Sequence, residues 1–166
     1  GLDYESLSAA NPRLVYCSIT GFGQTGPYAD RAGYDFIVQG MSGFMSVTGE
    51  ADGEPGGGPQ KAGIAITDLM TGMYATVAIQ AALAHRDRTG EGQHVDVAML
   101  DSQVAILENA IARYAATGVV PGPLGARHPS IAPFAAFRAR DRYLVIAAGH
   151  DEMFRRLCAV LGAGEL

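Results

Sequence analysis

Two cysteines, no basic stripe and no apolar run of membrane-spanning length define what this 166-residue sequence lacks. Cys17 falls in an expected strand and Cys158 in an expected helix. Two are too few for a disulfide framework, and they read as buried thiols in a reducing compartment, which places the protein in the cytoplasm. No His or Cys spacing suits zinc, so no metal site is expected. The 12 Lys and Arg are scattered among 17 Asp and Glu, and the net charge of -5 leaves no electrostatic footprint for nucleic acid. Residues 1–14 carry acids where a signal peptide needs a basic start and an apolar run. The most apolar stretch, 69–84, has no charge, but Thr71, Gly72, Thr76 and Gln80 interrupt it. It also falls short of the roughly 20 residues that span a bilayer, so no membrane partner is expected. No internal repeat is present.

What the sequence does have is apolar content: 48% hydrophobic against 17% charged residues is enough for a globular core. The pattern predicts a helix over 3–10 stopped by Asn11-Pro12, a strand over 14–19 and a glycine-rich loop over 21–33. A helical pattern follows over 34–47, then a polar Gly/Pro connector over 49–63. A long helix is expected from Asp68 to about Asp87, closed by Arg86, Arg88 and Gly90. Beyond it come a strand over 93–98, a helix over 101–116 and a loop over 117–133. A hairpin with strands 134–138 and 143–148 and a last helix over 151–161 complete the order. The long helix is apolar nearly all round, which suits the centre of a large core. A chain this short supplies few elements to cover it.

Two motifs bear on chemistry. Gly21-Phe22-Gly23-Gln24-Thr25-Gly26 is a literal GxGxxG after a strand, the spacing of a dinucleotide loop. Pro27 and Gly33 interrupt the helix that would have to follow, and the next strand lies about seventy residues on. A glycine loop permitting close backbone approach is the simpler reading. Asp68 opens the long helix, where its carboxylate suits an N-cap. The same place suits a nucleophile, because the positive helix end keeps a carboxylate ionised among apolar neighbours. Gly72, one turn on, leaves room for a substrate.

Four ordered segments, 17–27 (CSITGFGQTGP), 31–35 (RAGYD), 67–75 (TDLMTGMYA) and 89–99 (TGEGQHVDVAM), together resemble the central part of the family III CoA-transferases. The resemblance implies an α/β fold and a central fragment of an interlocked dimer. Residues 1–117 would be part of the large CoA-binding domain, and 118–166 a linker and the start of the smaller domain. Missing segments or a partner subunit would then cover the long helix. It also implies an enzyme that moves coenzyme A from an acyl-CoA donor to a carboxylic acid acceptor. Asp68 would form first an acyl-aspartyl anhydride and then an aspartyl-CoA thioester. Coenzyme A is a co-substrate, and no permanently bound cofactor is implied.

By the same resemblance Tyr34 and Asp35 line the acyl pocket, and Arg31, Gly23 and Gln24 are candidate contacts for CoA. His128, in 128–133 (HPSIAP), matches a segment of members that use succinyl-CoA or related dicarboxylic donors. A dicarboxylate or branched short-chain acid is therefore the expected substrate class. Phe134 stands where many members have Tyr. An α-methylacyl-CoA racemase-like enzyme is the near alternative, but racemases have His where Tyr34 stands, and a tyrosine near pKa 10 is a poor acid/base partner at neutral pH. The other alternative is a non-catalytic fragment that acts only in assembly. The isolated fragment itself is expected to be inactive.

Overall fold

The computed structural model describes residues 1–164. They form two compact units, one comprising Gly1–Val47 with Gln60–Pro121, the other Thr48–Pro59 with the chain from Gly122 onward. The boundary expected at 117/118 thus lies beside a contact boundary at 121/122. Most of the polar connector, assigned by position to the first region, packs with the second.

In the first unit, helix α1 (Tyr4–Ala10) starts at Asp3, whose side chain accepts from the Ser6 N–H at 2.8 Å. Strand β1 (Val15–Thr20) pairs in parallel with β2 (Gln93–Ala98), Val15 opposite Gln93 and Thr20 opposite Ala98. A parallel pair needs a crossover. Residues 21–92 supply it through helix α2 (Asp35–Met41), a short 3-10 turn at Phe44–Val47 and helix α3 (Ile66–Thr89). The helix predicted over 34–47 is divided because Gly43, at φ 87°, turns the chain out of helical geometry. Helices α4 (Met99–Ala105) and α5 (Glu108–Thr117) follow β2, and the break at Ile106-Leu107 splits the single helix expected there.

Helix α3 packs against α4, both strands and α2. Its C-terminus is as predicted, with Arg86 and Arg88 in the last turn and Gly90 left-handed at the cap. Its buried stripe is not the apolar one. Thr67, Thr71, Ala75 and Ala82 face inward at helical spacing, while Leu69, Met73 and Val77 are each 57–64% exposed. Small side chains let neighbouring elements approach closely, and the two threonines satisfy their hydroxyls internally: Thr71 Oγ1 donates to the Thr67 carbonyl at 2.6 Å. Val38, Val97, Ala98, Met99 and Leu107 complete the apolar core of this unit, with Gln39, Ser102 and Gln103 buried among them.

The second unit is built on the predicted hairpin. Strands β3 (Phe134–Arg138) and β4 (Tyr143–Ala147) pair antiparallel, and the Ala139 N–H closes the turn on the Arg142 carbonyl at 2.8 Å. Helix α6 (Asp151–Leu161) buries Cys158 and half-buries Phe154 and Leu157. The segment 48–59 is held here by the Gly125 N–H, which donates to the Gly49 carbonyl at 2.7 Å. No helix among the described residues is long and apolar enough to cross a membrane.

Candidate active site

The chain leaves β1 at Thr20 and enters the glycine-rich loop by a backbone crossing. A Cβ on Gly21 would lie 2.5 Å from the Gly33 Cα, so the two ends of the loop touch main chain to main chain and only glycine fits there. This pinch delivers the chain to Tyr34 and to the start of α2.

Asp68 lies in the first turn of α3 but does not cap it. The helix starts at Ile66, with Ala65 as N-cap and no side-chain cap bond, so the expectation that Asp68 opens the helix is corrected by two residues. The physical reason is that another side chain does the capping. Asp35 Oδ1 accepts from the Thr67 N–H at 2.8 Å, and Oδ2 accepts from Gln39 Nε2 at 2.7 Å. Gln39 is fully buried, and its Oε1 accepts from the Ala62 N–H at 2.8 Å. Thr67 Oγ1 donates to Gln103 Oε1 at 2.7 Å, leaving the buried Gln103 Nε2 unpartnered. The Asp68 side chain is exposed and enters no hydrogen bond of this network. It sits near the N-terminal end of a 24-residue helix, and the space beside Gly72 is open.

The other expected residues are placed as follows. Tyr34 is the N-cap residue of α2, makes no side-chain cap bond and is 68% exposed. The Arg31 guanidinium stacks over the Tyr28 ring, 4.0 Å from its centroid. The Gly23 N–H donates to Thr20 Oγ1 at 2.9 Å and the Gln24 N–H to Asp96 Oδ2 at 2.8 Å. Those two amides are therefore engaged within the protein, and Gln24 offers a ligand its side chain. Burial, reinforced by the Asp96 carboxylate, pushes the Cys17 thiol up, which leaves it a poor nucleophile.

His128 belongs to the second unit. Its Nδ1 accepts from the Ser130 and Ile131 N–H groups at 3.2 and 3.1 Å, so the neutral ring carries its proton on Nε2 and offers it as a donor. With Arg127, Phe134 and Phe154 it lines a cavity of about 650 Å³, its ring tilted on Phe134 at 5.1 Å.

Sequence reasoning missed Gln39, Thr67 and Gln103. The one available signal was the spacing of Asp35 and Gln39, four residues apart on a helix and so on one face.

A parallel strand pair bridged by a long helical crossover, with an exposed carboxylate in the first turn of the central helix, makes an α/β arrangement. The sequence matches the family model of CoA-transferase family III over residues 1–166, and the chain belongs to that family. It is 58% identical over its whole length to the succinate–glutarate CoA-transferase of Agrobacterium fabrum, of which it covers 40%. It is 47% identical, again over its whole length, to the acetyl-CoA:oxalate CoA-transferase of Acetobacter aceti, covering 42% of it. The crystal structure of a CAIB/BAIF family protein from Brucella suis superposes with a TM-score of 0.83 at 53% identity, covering 99% of this chain and 43% of that one. The chain thus spans about 40% of the length of the curated relatives it matches.

Proposed function

We propose that the protein containing this chain transfers coenzyme A from a dicarboxylic acyl-CoA to a second carboxylic acid, with Asp68 as the covalent nucleophile. The observation that carries this reading is the Asp68 carboxylate itself, unpartnered and exposed in the first turn of a helix that another residue caps. An aspartate needed for capping would be engaged; this one is free to react.

The Asp68 carboxylate attacks the thioester carbonyl, the C–S bond breaks, and coenzyme A leaves as the thiolate from a mixed anhydride. The thiolate attacks the aspartyl carbonyl and releases the donor acid as its carboxylate, leaving an aspartyl-CoA thioester. The acceptor carboxylate attacks that thioester, expels the thiolate and forms a second anhydride. Attack of the thiolate on the acceptor's carbonyl yields the new acyl-CoA and restores Asp68. Each intermediate remains activated, so the thioester's free energy is kept if water is excluded. A carboxylate is a weak nucleophile, and positioning supplies much of the rate.

Arg31 and the Gln24 side chain are the proposed CoA contacts, and Tyr34 a wall of the acyl pocket. His128, as an Nε2–H donor, is the proposed partner of an acyl-chain carboxylate. The relatives' names, succinate–glutarate and oxalate transferases, support a dicarboxylic substrate. The first unit is read as part of the large CoA-binding domain and the second as the start of the smaller one. The exposed Leu69, Met73 and Val77 support cover from the rest of an interlocked homodimer, and the free Cys17 and Cys158 suit the cytoplasm.

Mass spectrometry of the full-length protein incubated with succinyl-CoA tests the chemistry. A CoA-sized adduct is expected on the peptide containing Asp68. Asp68→Asn should remove the adduct and lower turnover by at least about 1,000-fold, because an amide cannot form the anhydride. Undiminished transfer in that variant would return Asp68 to a surface residue.

A further inference from the structure

We infer that Asp35 is a positioning residue for Asp68 and not a wall of the acyl pocket, an inference that rests on Asp68 being the nucleophile. The N-cap residue of α3 is Ala65, whose side chain has no oxygen to offer the orphan N–H groups of the first turn. Asp35 supplies that oxygen from α2, taking the Thr67 N–H, the amide of the residue immediately before Asp68.

The carboxylate cannot swing away, because its second oxygen is held by Gln39, a fully buried side chain whose other end takes the Ala62 N–H. One carboxylate–amide pair thus spans the entry to α3, gripping the backbone at Ala62 and again at Thr67. The Thr67 side chain is fixed a third way, by its bond to Gln103. The backbone just ahead of Asp68 is therefore set by side chains from α2 and α4, with both Asp35 oxygens committed inside the protein. For a weak nucleophile, an error of about 1 Å in placement costs up to about 100-fold in rate.

The test uses the full-length enzyme with succinyl-CoA as donor and glutarate as acceptor, with turnover expressed per active site titrated by adduct formation. Asp35→Asn keeps one acceptor oxygen for the Thr67 N–H but turns its amide group toward the Gln39 amide, donor against donor. It is expected to lower kcat by about 10- to 100-fold and leave KM for succinyl-CoA within about twofold. Adding Gln39→Glu restores the pairing with its polarity reversed, since the new carboxylate accepts from both the introduced amide and the Ala62 N–H. The double variant should recover kcat to within about fivefold of wild type.

A raised KM that Gln39→Glu does not repair would make Asp35 a substrate contact and overturn the proposal. Unchanged kcat in Asp35→Asn would overturn it as well. If Asp35→Asn fails to fold, the double variant decides: folded and active supports positioning, folded and inactive refutes it. Asp68→Asn run in parallel separates the two claims. Loss of turnover there with a normal Asp35→Asn sinks positioning alone, whereas an active Asp68→Asn sinks the nucleophile on which it rests.

Discussion

Helix α6 carries its own instructions for starting and stopping, whereas α3 takes its start from another part of the chain. At α6 the N-cap is the adjacent His150, Asp151 and Glu152 occupy the first turn, and Glu152 bonds Arg156 four residues on at 3.0 Å. Gly162 ends the helix, and Phe154, Leu157 and Cys158 are its half-buried or buried residues, while Met153, Val160 and Leu161 are exposed. At α3 the cap comes from Asp35, some thirty residues upstream, and the inward face is threonine and alanine. The difference shows that a helix built from local signals can be read locally, while one capped from another helix is specified by its neighbours.

The largest effect should come from cutting the borrowed cap at its buried anchor. Gln39→Leu leaves the Ala62 N–H and one Asp35 oxygen without partners and is expected to cost about 2–4 kcal/mol. His150→Ala removes a long, exposed cap bond of 3.5 Å and should cost about 0.5–1 kcal/mol. Hydrogen exchange of peptides containing Thr67 and Met153 reads the two helix starts separately. Equal protection losses would erase the distinction between them.

A matched substitution sharpens the comparison of faces. Ala82, fully buried on α3, has no space for added carbons, and Ala82→Leu should destabilise by about 1–3 kcal/mol. On α6, Ala159 is exposed, and Ala159→Leu should stay within about 0.5 kcal/mol of wild type. Urea midpoints of the two variants in the full-length protein check this, and the opposite order would show that α3 is loosely packed.

The smallest effect belongs to α1, another self-capped helix. Hydrogen bonds from Ser6 lead the causes that lower the Asp3 pKa from 3.8 to about 2. Because the folded value is the lower one, the cap's contribution is complete above pH 3.8 and is lost as pH falls through about 2. The Ser6 amide shift should titrate with the lower midpoint; a midpoint at the unperturbed value would mean that the cap does not form in solution.

These contrasts explain what the sequence disclosed. Strand β2 and helix α6 have the predicted bounds, since Gly92 and Gly162 flank clean alternating or helical patterns. The two-residue error at α3 arose because Asp68 looks like a cap to any local reading, and the side chain that does the capping lies on a different helix. The buried Gln39–Asp35–Thr67–Gln103 network was illegible for the same reason. Glutamine carries no strong positional preference, and its burial is understood only once α2, α3 and α4 meet. Apolar content predicted that Leu69, Met73 and Val77 would need cover, but not that threonines would take the inside face.

The parallel pairing of β1 with β2 also has a consequence for how the molecule is made. Val15 cannot meet Gln93 until everything between them has been synthesised, and closing so long a loop costs entropy that no single strand contact returns. Until then β1 lacks β2 as a partner, and a folding order in which α2 and α3 meet first at the Asp35–Gln39 clasp would draw the ends of the crossover together. In that order the clasp shortens the effective distance the strands must close, so the pair that caps α3 would also hasten the pairing of β1 with β2.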